Sequence, residues 1–429
     1  MLMFILFASF AGLLLIGTPI AICLGSSSII TMLVQGGGRP IEVVMAALPR
    51  IVSASTSKFV LLAIPFFILG GIIMEKAGIS QKLIELAEAC VGHIRGGVAM
   101  VCVMVSCFFA AISGSGPATV AALGLIMIPA LINAGYSAPF AAALMATGGA
   151  IGVIIPPSIT YVVYGSISDT SIGNLFISGI LPGLLMGLAL MLTALWIGRN
   201  SDLKVLPKAT GAQRLKAFKD AFWGLLMPVI ILGGIYGGVF TPTEAAAVSA
   251  VYGLVVGVFV YRTVKRNDLY TILVDASSVT ATVMFITAAA SLFAYILTRA
   301  RIDVAIGAGL NDITGGNFIL FLMIVNVVLL LAGCFLDSTS ALFIFTPLFA
   351  PVAEAMGINM IHFGTIMVVN LAIGLVTPPV GVNLYVACGI ANIHLKTISR
   401  AVIPLILASL FVLLLVTYIP ALSLGLVPK

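Results

Sequence analysis

The chain carries the same Pro-Pro interruption twice, inside two apolar segments that match at a constant separation of 222 residues. The sequence IGVIIPP at 151–157 returns as IGLVTPP at 373–379. The same separation links three further pairs: Pro129 with Pro351, Gly135 with Gly357, and Pro182 with Pro404. Two consecutive prolines force a helix to unwind, because proline lacks an N–H group and clashes with the preceding turn. Two related halves with matched helix breaks are typical of membrane proteins whose discontinuous helices meet near the bilayer midplane.

The composition excludes a soluble protein. Of the 429 residues, 61% are hydrophobic and only 8% are charged, whereas soluble domains carry about 25% charged residues. A membrane-spanning helix needs about 20 apolar residues, so the chain has room for roughly a dozen helical segments. We therefore predict an all-α, multi-pass integral membrane protein.

The basic residues are concentrated in two places. The polar stretch at 199–220 contains six of them, and a second cluster follows at 262–266. Both should face the cytoplasm, since cytoplasmic loops carry an excess of lysine and arginine. A role in nucleic-acid binding is disfavoured, because these residues lie in loops that flank membrane spans.

Each half also contains two apolar stretches that are short for a span and are joined by a polar tip. In the first half, residues 97–112 and 118–132 flank the tip Ser113-Gly114-Ser115-Gly116-Pro117. In the second half, residues 318–335 and 341–356 flank Leu336-Asp337-Ser338-Thr339-Ser340, so that Ser115 corresponds to Asp337. Irregular backbone at membrane depth is tolerated only where it is buried or lines a cavity. We therefore predict two re-entrant helical hairpins.

The tips and the Pro-Pro loops together supply candidate ligands. The side chains concerned are Ser113, Ser115 and Thr119 at tip one, Ser158 at loop one, Asp337, Ser338 and Thr339 at tip two, and Thr377 and Asn383 at loop two. Hydroxyl and carbonyl oxygens suit Na⁺ and other hard cations, and helix N-termini suit a carboxylate. For Asp337 two interpretations stay open: charge balance for a cation or polar contact to a substrate, and capping of the second hairpin helix.

Arg299 ends an apolar segment, where it either anchors the helix at the interface or turns inward to meet a substrate carboxylate. The histidines His93, His362 and His394 do not cluster, and the sequence contains no motif of a hydrolase, an ATPase or a nucleotide-binding enzyme. An enzymatic function is therefore disfavoured.

Five motifs in order resemble the large membrane subunit of tripartite ATP-independent periplasmic (TRAP) transporters. They are LLAIPFFILGGIIMEKAGI at 61–79, SGSGPATVAALGLIMIPALINAGY at 113–136, ATGGAIGVIIPPSITYVVYG at 146–165, FTPTEAAAVSAVYG at 240–253 and NLAIGLVTPPVGVNLYVACGI at 370–390. More distantly, the hairpin tips and Pro-Pro loops resemble other elevator transporters of the ion-transporter superfamily. The resemblance covers nearly the whole chain.

The resemblance implies a fold of two inverted repeats with an elevator mechanism. It divides the chain into 1–96 (scaffold and interfacial helices of repeat one), 97–167 (transport elements of repeat one), 168–317 (scaffold of repeat two, with the loop 199–220), 318–390 (transport elements of repeat two) and 391–429 (C-terminal helix). It also implies coupling to two or more Na⁺ ions, residence in the bacterial inner membrane, a four-helix small membrane subunit and a periplasmic binding protein. Since this chain contains no soluble domain, both partners would be separate chains.

The resemblance also implies particular site residues. Na⁺ is expected at Ser113, Gly114, Ser115 and Gly116 with Ile155, Pro156 and Ser158, and at Asp337, Ser338 and Thr339 with Thr377, Pro378, Val380 and Gly381. The organic acid substrate is expected between the tips, at Ser115, Thr119, Arg299 and Asp337.

The substrate class implied by the family includes C4-dicarboxylates, sialic acid and other sugar acids, and keto acids. The GSGPATVAA tip at 114–122 is similar to the sialic-acid branch, so sialic acid is favoured and a C4-dicarboxylate is next. The alternatives are a stand-alone Na⁺- or H⁺-coupled organic anion transporter, a passive channel, and an assembly protein without transport. A channel would need a continuous polar pore lining, and no segment shows a polar stripe.

Overall fold

The structure is a computed structural model that describes residues 1–37, 39–199 and 203–428. Across these residues the chain is helical and no β-strand occurs, which confirms the all-α prediction. Part of the basic loop predicted at 199–220, namely residues 200–202, lies outside the described residues.

The first half contains eleven α-helices among the described residues. They are α1 (Leu2–Leu15), α2 (Ile20–Gly36), α3 (Ile41–Met45), α4 (Leu48–Thr56), α5 (Ala63–Lys76), α6 (Ile79–Val91), α7 (Gly97–Ser113), α8 (Gly116–Asn133), α9 (Ala138–Ile154), α10 (Ile159–Ser168) and α11 (Ile172–Gly198). A 3₁₀ turn at Phe59–Leu62 leads into α5.

The second half, over its described residues, adds eleven more. They are α12 (Gly211–Tyr236), α13 (Pro242–Val255), α14 (Arg266–Arg299), α15 (Ile302–Thr314), α16 (Phe318–Gly333), α17 (Ser338–Ala355), α18 (Met360–Gly374), α19 (Val382–Ala391), α20 (Leu395–Ala401), α21 (Ile403–Tyr418) and α22 (Ala421–Leu424). A π-helical turn at Val256–Val260 extends α13.

The helix bounds follow the separation seen in the sequence. Helix α8 begins at Gly116 and α17 at Ser338, 222 residues later, and the two helices have the same length of 18 residues. Helices α9 and α18 begin at Ala138 and Met360, which have the same separation. Corresponding segments of the two halves therefore form corresponding helices. The inverted orientation of the halves and the elevator motion stay predictions.

Several helices are long and apolar enough to cross a bilayer. Within the described part of the chain there are seven, or nine if two bent helix pairs each count as one span. The pair α9 and α10 bends by 41° at the first Pro-Pro loop. Of the hairpin helices, α7 and α16, of 17 and 16 residues, fall below that length, whereas α8 and α17, of 18 residues each, reach it. That the hairpins are re-entrant stays a prediction.

The broken helices interlock the two halves. Helix α19 of the second half packs against α8 and α9 of the first, and α10 of the first half packs against α17 of the second. Helices α5 and α14 pack against each other and reach the hairpins, since α5 contacts α7 and α14 contacts α17. The approach of α5 to the first tip is close: a Cβ on Gly71 would lie 3.3 Å from the Cα of Ser113. This packing brings both tips beside α5 and α14.

Candidate functional site

The first tip is a short loop held by its own hydroxyl groups. Gly114 ends α7 with a left-handed backbone (φ +62°), and Ser115 precedes α8 with extended backbone. Thr119 Oγ1 donates to the carbonyl oxygen of Ser115 at 2.8 Å and lies 2.8 Å from Ser113 Oγ. Through these bonds, the hydroxyl groups of the tip hold the first turn of α8 in place.

The first Pro-Pro loop packs directly on this tip. Helix α9 ends at Ile154, and the Pro156–Pro157 peptide bond that follows is cis. The backbone N–H of Ile159 donates to the carbonyl oxygen of Gly114 at 3.4 Å. Ser158 Oγ donates back to the carbonyl oxygen of Val153 at 2.6 Å. Tip one and loop one therefore form one hydrogen-bonded unit.

The second tip is fixed by Asp337, which caps α17. Its Oδ2 accepts from the backbone N–H groups of Thr339 at 3.0 Å and Ser340 at 3.1 Å, and its Oδ1 accepts from Ser340 Oγ at 2.5 Å. The capping interpretation of Asp337 is confirmed by these bonds. Its neighbour Ser338 is buried, and its hydroxyl oxygen has no hydrogen-bond partner among the described residues.

The second Pro-Pro loop is joined to the second tip in a related way. The Pro378–Pro379 bond is also cis, and Gly381 has a left-handed backbone (φ +59°). The N–H of Gly381 donates to the carbonyl oxygen of Cys334, beside the tip, at 3.3 Å. Thr377 Oγ1 donates to the carbonyl oxygen of Ile373 at 2.8 Å. Each half thus contributes a tip and a loop that are bonded together.

Both tips border one cavity of about 420 Å³. The first tip contributes Ser113, Gly114, Ser115 and Gly116, and the second contributes Asp337, Ser338 and Thr339. Helices α5 and α14 close the opposite side with Ile68, Gly71, Ile72 and Glu75, and with Val279, Thr282, Val283 and Ile286. The structure therefore brings together the two sets of tip residues that the sequence singled out, although they lie more than 200 positions apart.

Other predicted site residues lie outside this lining. Thr119 is fully buried behind Ser115. The loop residues that the resemblance implied as Na⁺ ligands lie in the two Pro-Pro loops and do not border the cavity: Ile155, Pro156, Ser158, Thr377, Pro378, Val380 and Gly381.

Arg299 lies in a different place. It donates to the hydroxyl oxygen of Tyr295 at 2.5 Å, and its guanidinium carbon lies 5.7 Å from the centre of that ring. It lines a separate cavity of about 90 Å³, which it shares with Gln35 and Arg39. The structure does not bring Arg299 to the cavity between the tips.

Three polar residues in the cavity lining were not anticipated: Glu75 on α5, Thr160 on α10 and Thr282 on α14. Glu75 looks in the sequence like the polar end of a span. Thr282 follows Ser278 by four residues in the polar stretch DASSVTAT at 275–282, and residues with this spacing share a helix face. This polar stretch inside a predicted span is the signal that could have pointed to Thr282.

The chemistry available in the cavity is that of oxygen ligands. The described residues contain no group of three or more His, Cys, Asp and Glu side chains that could hold a metal ion. The tips instead offer hydroxyl groups, backbone carbonyls and the Asp337 carboxylate, which suit hard cations. The N-termini of α8 and α17 also meet the cavity at Gly116 and Ser338, and helix N-termini attract anions.

Solved structures support the fold. The Alcanivorax borkumensis YdaH transporter, whose crystal structure has an unusual topology, superposes with a TM-score of 0.64 over 90% of each chain. The two sequences are only 15% identical, so this similarity concerns the fold alone.

Curated proteins give closer similarities. The isethionate TRAP transporter permease protein DctMQ of Oleidesulfovibrio alaskensis is 45% identical over 97% of this chain, which spans 65% of the length of that protein. The C4-dicarboxylate TRAP transporter large permease protein DctM of Pseudomonas aeruginosa is 46% identical over 87% of each chain. The sialic acid TRAP transporter large permease protein SiaM of Vibrio cholerae is 40% identical over 85% of this chain and 86% of that protein.

The family model for the DctM component of tripartite ATP-independent periplasmic transporters matches residues 7–422. This match covers all of the helices that form the cavity, and it agrees with the resemblance seen in the sequence motifs. The chain therefore belongs to the DctM family of TRAP transporter large permease proteins and is a multi-pass protein of the inner membrane.

Proposed function

We propose that this chain is the permease subunit of a Na⁺-coupled transporter that imports a small organic acid. The observation that carries the proposal is the single cavity bordered by both hairpin tips, in a chain of this family. A transporter needs a place where substrate and coupling ions bind together, and discontinuous helices from two halves supply such a place.

The anionic substrate binds between the two tips. Among the described residues that line the cavity there is no lysine or arginine, so the carboxylate is held by other donors. These are the N-termini of α8 and α17 and the hydroxyl groups of Ser115 and Thr339, which lie at or beside those N-termini. A bound cation offsets the negative charge of Asp337, which would otherwise repel the substrate.

Each tip-and-loop unit binds one Na⁺ ion. The first site uses the tip residues 113–116 with Ile155, Pro156 and Ser158, and the second uses residues 337–339 with the loop 377–381. The hydrogen bonds from Ile159 to Gly114 and from Gly381 to Cys334 support this assignment, because they hold the carbonyl-rich loop of each half beside its own tip.

The elements that bind ion and substrate move together. The contacts of α19 with α8 and of α10 with α17 couple the hairpins and broken helices of both halves, so 97–167 and 318–390 can shift as one body. Helices α5 and α14, which cover the tips, belong to the scaffold along which this body slides. This is an elevator motion.

A periplasmic binding protein and a small four-helix membrane subunit complete the transporter. The names of the relatives support a tripartite system, and they name C4-dicarboxylate, isethionate and sialic acid as substrates. We place a C4-dicarboxylate first, since the C4-dicarboxylate permease of P. aeruginosa is 46% identical and the sialic acid permease 40%. Isethionate is next, since its permease is 45% identical, and sialic acid, which the tip sequence favours, follows.

The test is uptake into proteoliposomes that contain this chain and its small subunit. Radiolabelled succinate, isethionate and sialic acid are each supplied with the cognate binding protein, with and without an inward Na⁺ gradient. Accumulation that requires both Na⁺ and the binding protein supports the proposal and identifies the substrate. Accumulation without the binding protein indicates a stand-alone transporter, and label that only equilibrates indicates a channel.

A further inference from the structure

Asn383 lies at the start of α19 in the second half but makes its side-chain contacts with the first half. The residue is fully buried. Its backbone N–H donates to the carbonyl oxygen of Leu375 in its own loop at 3.0 Å. Its side-chain Nδ2 donates to the carbonyl oxygen of Ala146 on α9, in the other half, at 3.0 Å.

This second bond determines which way the amide points. A carbonyl oxygen can only accept, so the atom that meets Ala146 must be the NH₂ group of Asn383. Oδ1 is then the atom left without this partner. Oδ1 is buried and has no hydrogen-bond partner among the described residues.

The unpaired Oδ1 lies beside the first tip. A Cβ placed on Gly116, the first residue of α8, would lie 3.2 Å from both Oδ1 and Nδ2 of Asn383, so the whole amide lies against the start of α8. Gly116, Leu375 and Val382 all line the cavity between the tips, so Oδ1 lies directly behind that lining. Buried polar atoms in native proteins nearly always have a partner, and the position of this one beside the tip and the cavity points to a ligand that is bound in the working cycle.

The chemistry of the atom identifies the ligand. An amide oxygen carries lone pairs and no hydrogen, so it repels the carboxylate of a substrate and attracts a hard cation. We propose that Asn383 Oδ1 is a ligand of the Na⁺ ion at tip one, which makes that site a joint product of both halves. This inference rests on the Na⁺ coupling proposed above, and it explains how ion binding at one tip fixes the other half's loop.

The test compares two substitutions that separate the acceptor from the donor. Asn383→Asp keeps an oxygen at the position of Oδ1 and loses the NH₂ group, whereas Asn383→Leu loses both. Asn370→Leu is the matched control, because Asn370 is also fully buried, donates to a backbone carbonyl (that of Asn326, at 3.0 Å) and has an unpaired Oδ1. Its partner Asn326 is not part of the cavity lining, whereas Gly116, beside Asn383, is.

Two quantities are measured on the chain assembled with its small subunit: the Na⁺ concentration for half-maximal uptake, and the shift in melting temperature that Na⁺ produces. We expect Asn383→Leu to raise the half-maximal Na⁺ concentration about tenfold or more, the scale on which removing a metal-supporting group acts, and to diminish the thermal shift. Asn383→Asp should keep the half-maximal Na⁺ concentration within about threefold of the wild-type value and should retain the thermal shift. Asn370→Leu should lower the melting temperature without changing the Na⁺ dependence.

An unchanged Na⁺ dependence in Asn383→Leu, or an equal loss of Na⁺ binding in Asn383→Asp and Asn383→Leu, overturns the assignment. If Asn383→Leu does not assemble, Asn383→Ala gives the same comparison without added volume. A wild-type protein that shows no Na⁺ dependence overturns the proposed coupling itself, which is a different outcome from a Na⁺-dependent protein in which Asn383 is dispensable.

Discussion

Gly114 lies so close to Pro157 that a Cβ on Gly114 would come within 2.8 Å of the Pro157 carbonyl oxygen. The backbone of Gly114 is also left-handed, with φ +62°, and residues that carry a Cβ adopt this conformation only at a cost in free energy. The first tip can therefore pack on the first Pro-Pro loop only because this residue is glycine.

We predict that Gly114→Ala disrupts the first tip and abolishes most uptake. The left-handed backbone alone costs about 1–2 kcal/mol with alanine, and the contact with Pro157 adds to that because a backbone carbonyl cannot move aside as a flexible side chain would. The loss is measured as a lower melting temperature of the purified protein and a lower initial rate of uptake.

Gly357→Ala provides the matched control for this prediction. Gly357 follows the second hairpin and is also left-handed (φ +75°), but a Cβ there would meet no atom within 4 Å. The Gly357→Ala variant should therefore lose only the stability that the left-handed backbone costs with alanine, about 1–2 kcal/mol. Equal effects of the two substitutions would show that the contact between tip and loop is unimportant.

The second prediction separates the two roles of Asp337. Asp337→Asn keeps an oxygen that can accept from Thr339 and Ser340, so we expect its stability to stay close to that of the wild type. Asp337→Ala loses the cap, which costs about 1 kcal/mol. Both variants should lower Na⁺-dependent uptake at unchanged expression, because both remove the negative charge that a cation would offset. Wild-type uptake by Asp337→Asn would limit Asp337 to capping.

Much of the site could be predicted because each tip is encoded by a contiguous stretch. The Gly/Ser/Pro tip and its counterpart 222 residues later gave the positions of both tips, including the relation of Ser115 to Asp337. Local chemistry decides such features: a capping side chain, a left-handed glycine and a pair of prolines all act on neighbouring residues.

The rest of the site depends on packing between distant segments, which no local pattern encodes. Glu75 and Thr282 reach the cavity only because α5 and α14 pack beside the tips. Their sequence surroundings look like the end of one span and the polar positions of another. Arg299 shows the opposite case, since its contact with Tyr295, one helical turn away, is local, and the sequence could not decide between such a local role and contact with a distant substrate.

The third prediction concerns Arg299. The guanidinium group of Arg299 contacts Tyr295 and lines a separate cavity. We therefore expect Arg299→Gln to change the KM for the organic acid by less than about twofold. Loss of a charged partner of the substrate carboxylate would raise the KM much more. The measurement is the concentration dependence of initial uptake rates. Tyr295→Phe, which removes only the hydroxyl acceptor, should behave in the same way. A KM raised tenfold or more in Arg299→Gln alone would restore the interpretation that Arg299 meets the substrate.

The fourth prediction concerns the contact between Lys58 and the end of α10. Lys58 precedes the 3₁₀ turn that leads into α5, and its Nζ donates to the carbonyl oxygen of Ser166 at 2.5 Å and lies 4.0 Å from Asp169 Oδ1. If α10 moves with the transport elements, this contact must break in each cycle. We therefore expect that linking Lys58→Cys to Ser166→Cys, two positions that border the same surface cavity, with a short bifunctional thiol reagent arrests uptake. When the reagent is reducible, cleaving it with a reductant should restore uptake.

The control pair for this experiment lies within the proposed scaffold. Ser55 Oγ on α4 donates to Ser291 Oγ on α14 at 2.9 Å, so Ser55→Cys with Ser291→Cys can be linked by the same reagent. Both variants are made with Cys90, an exposed cysteine, replaced by serine to prevent side reactions. A scaffold that stays rigid tolerates the second link, whereas an elevator body cannot move with the first. Arrest by both links, or by neither, would contradict the division into scaffold and moving body, because only relative motion at Lys58 distinguishes the two pairs.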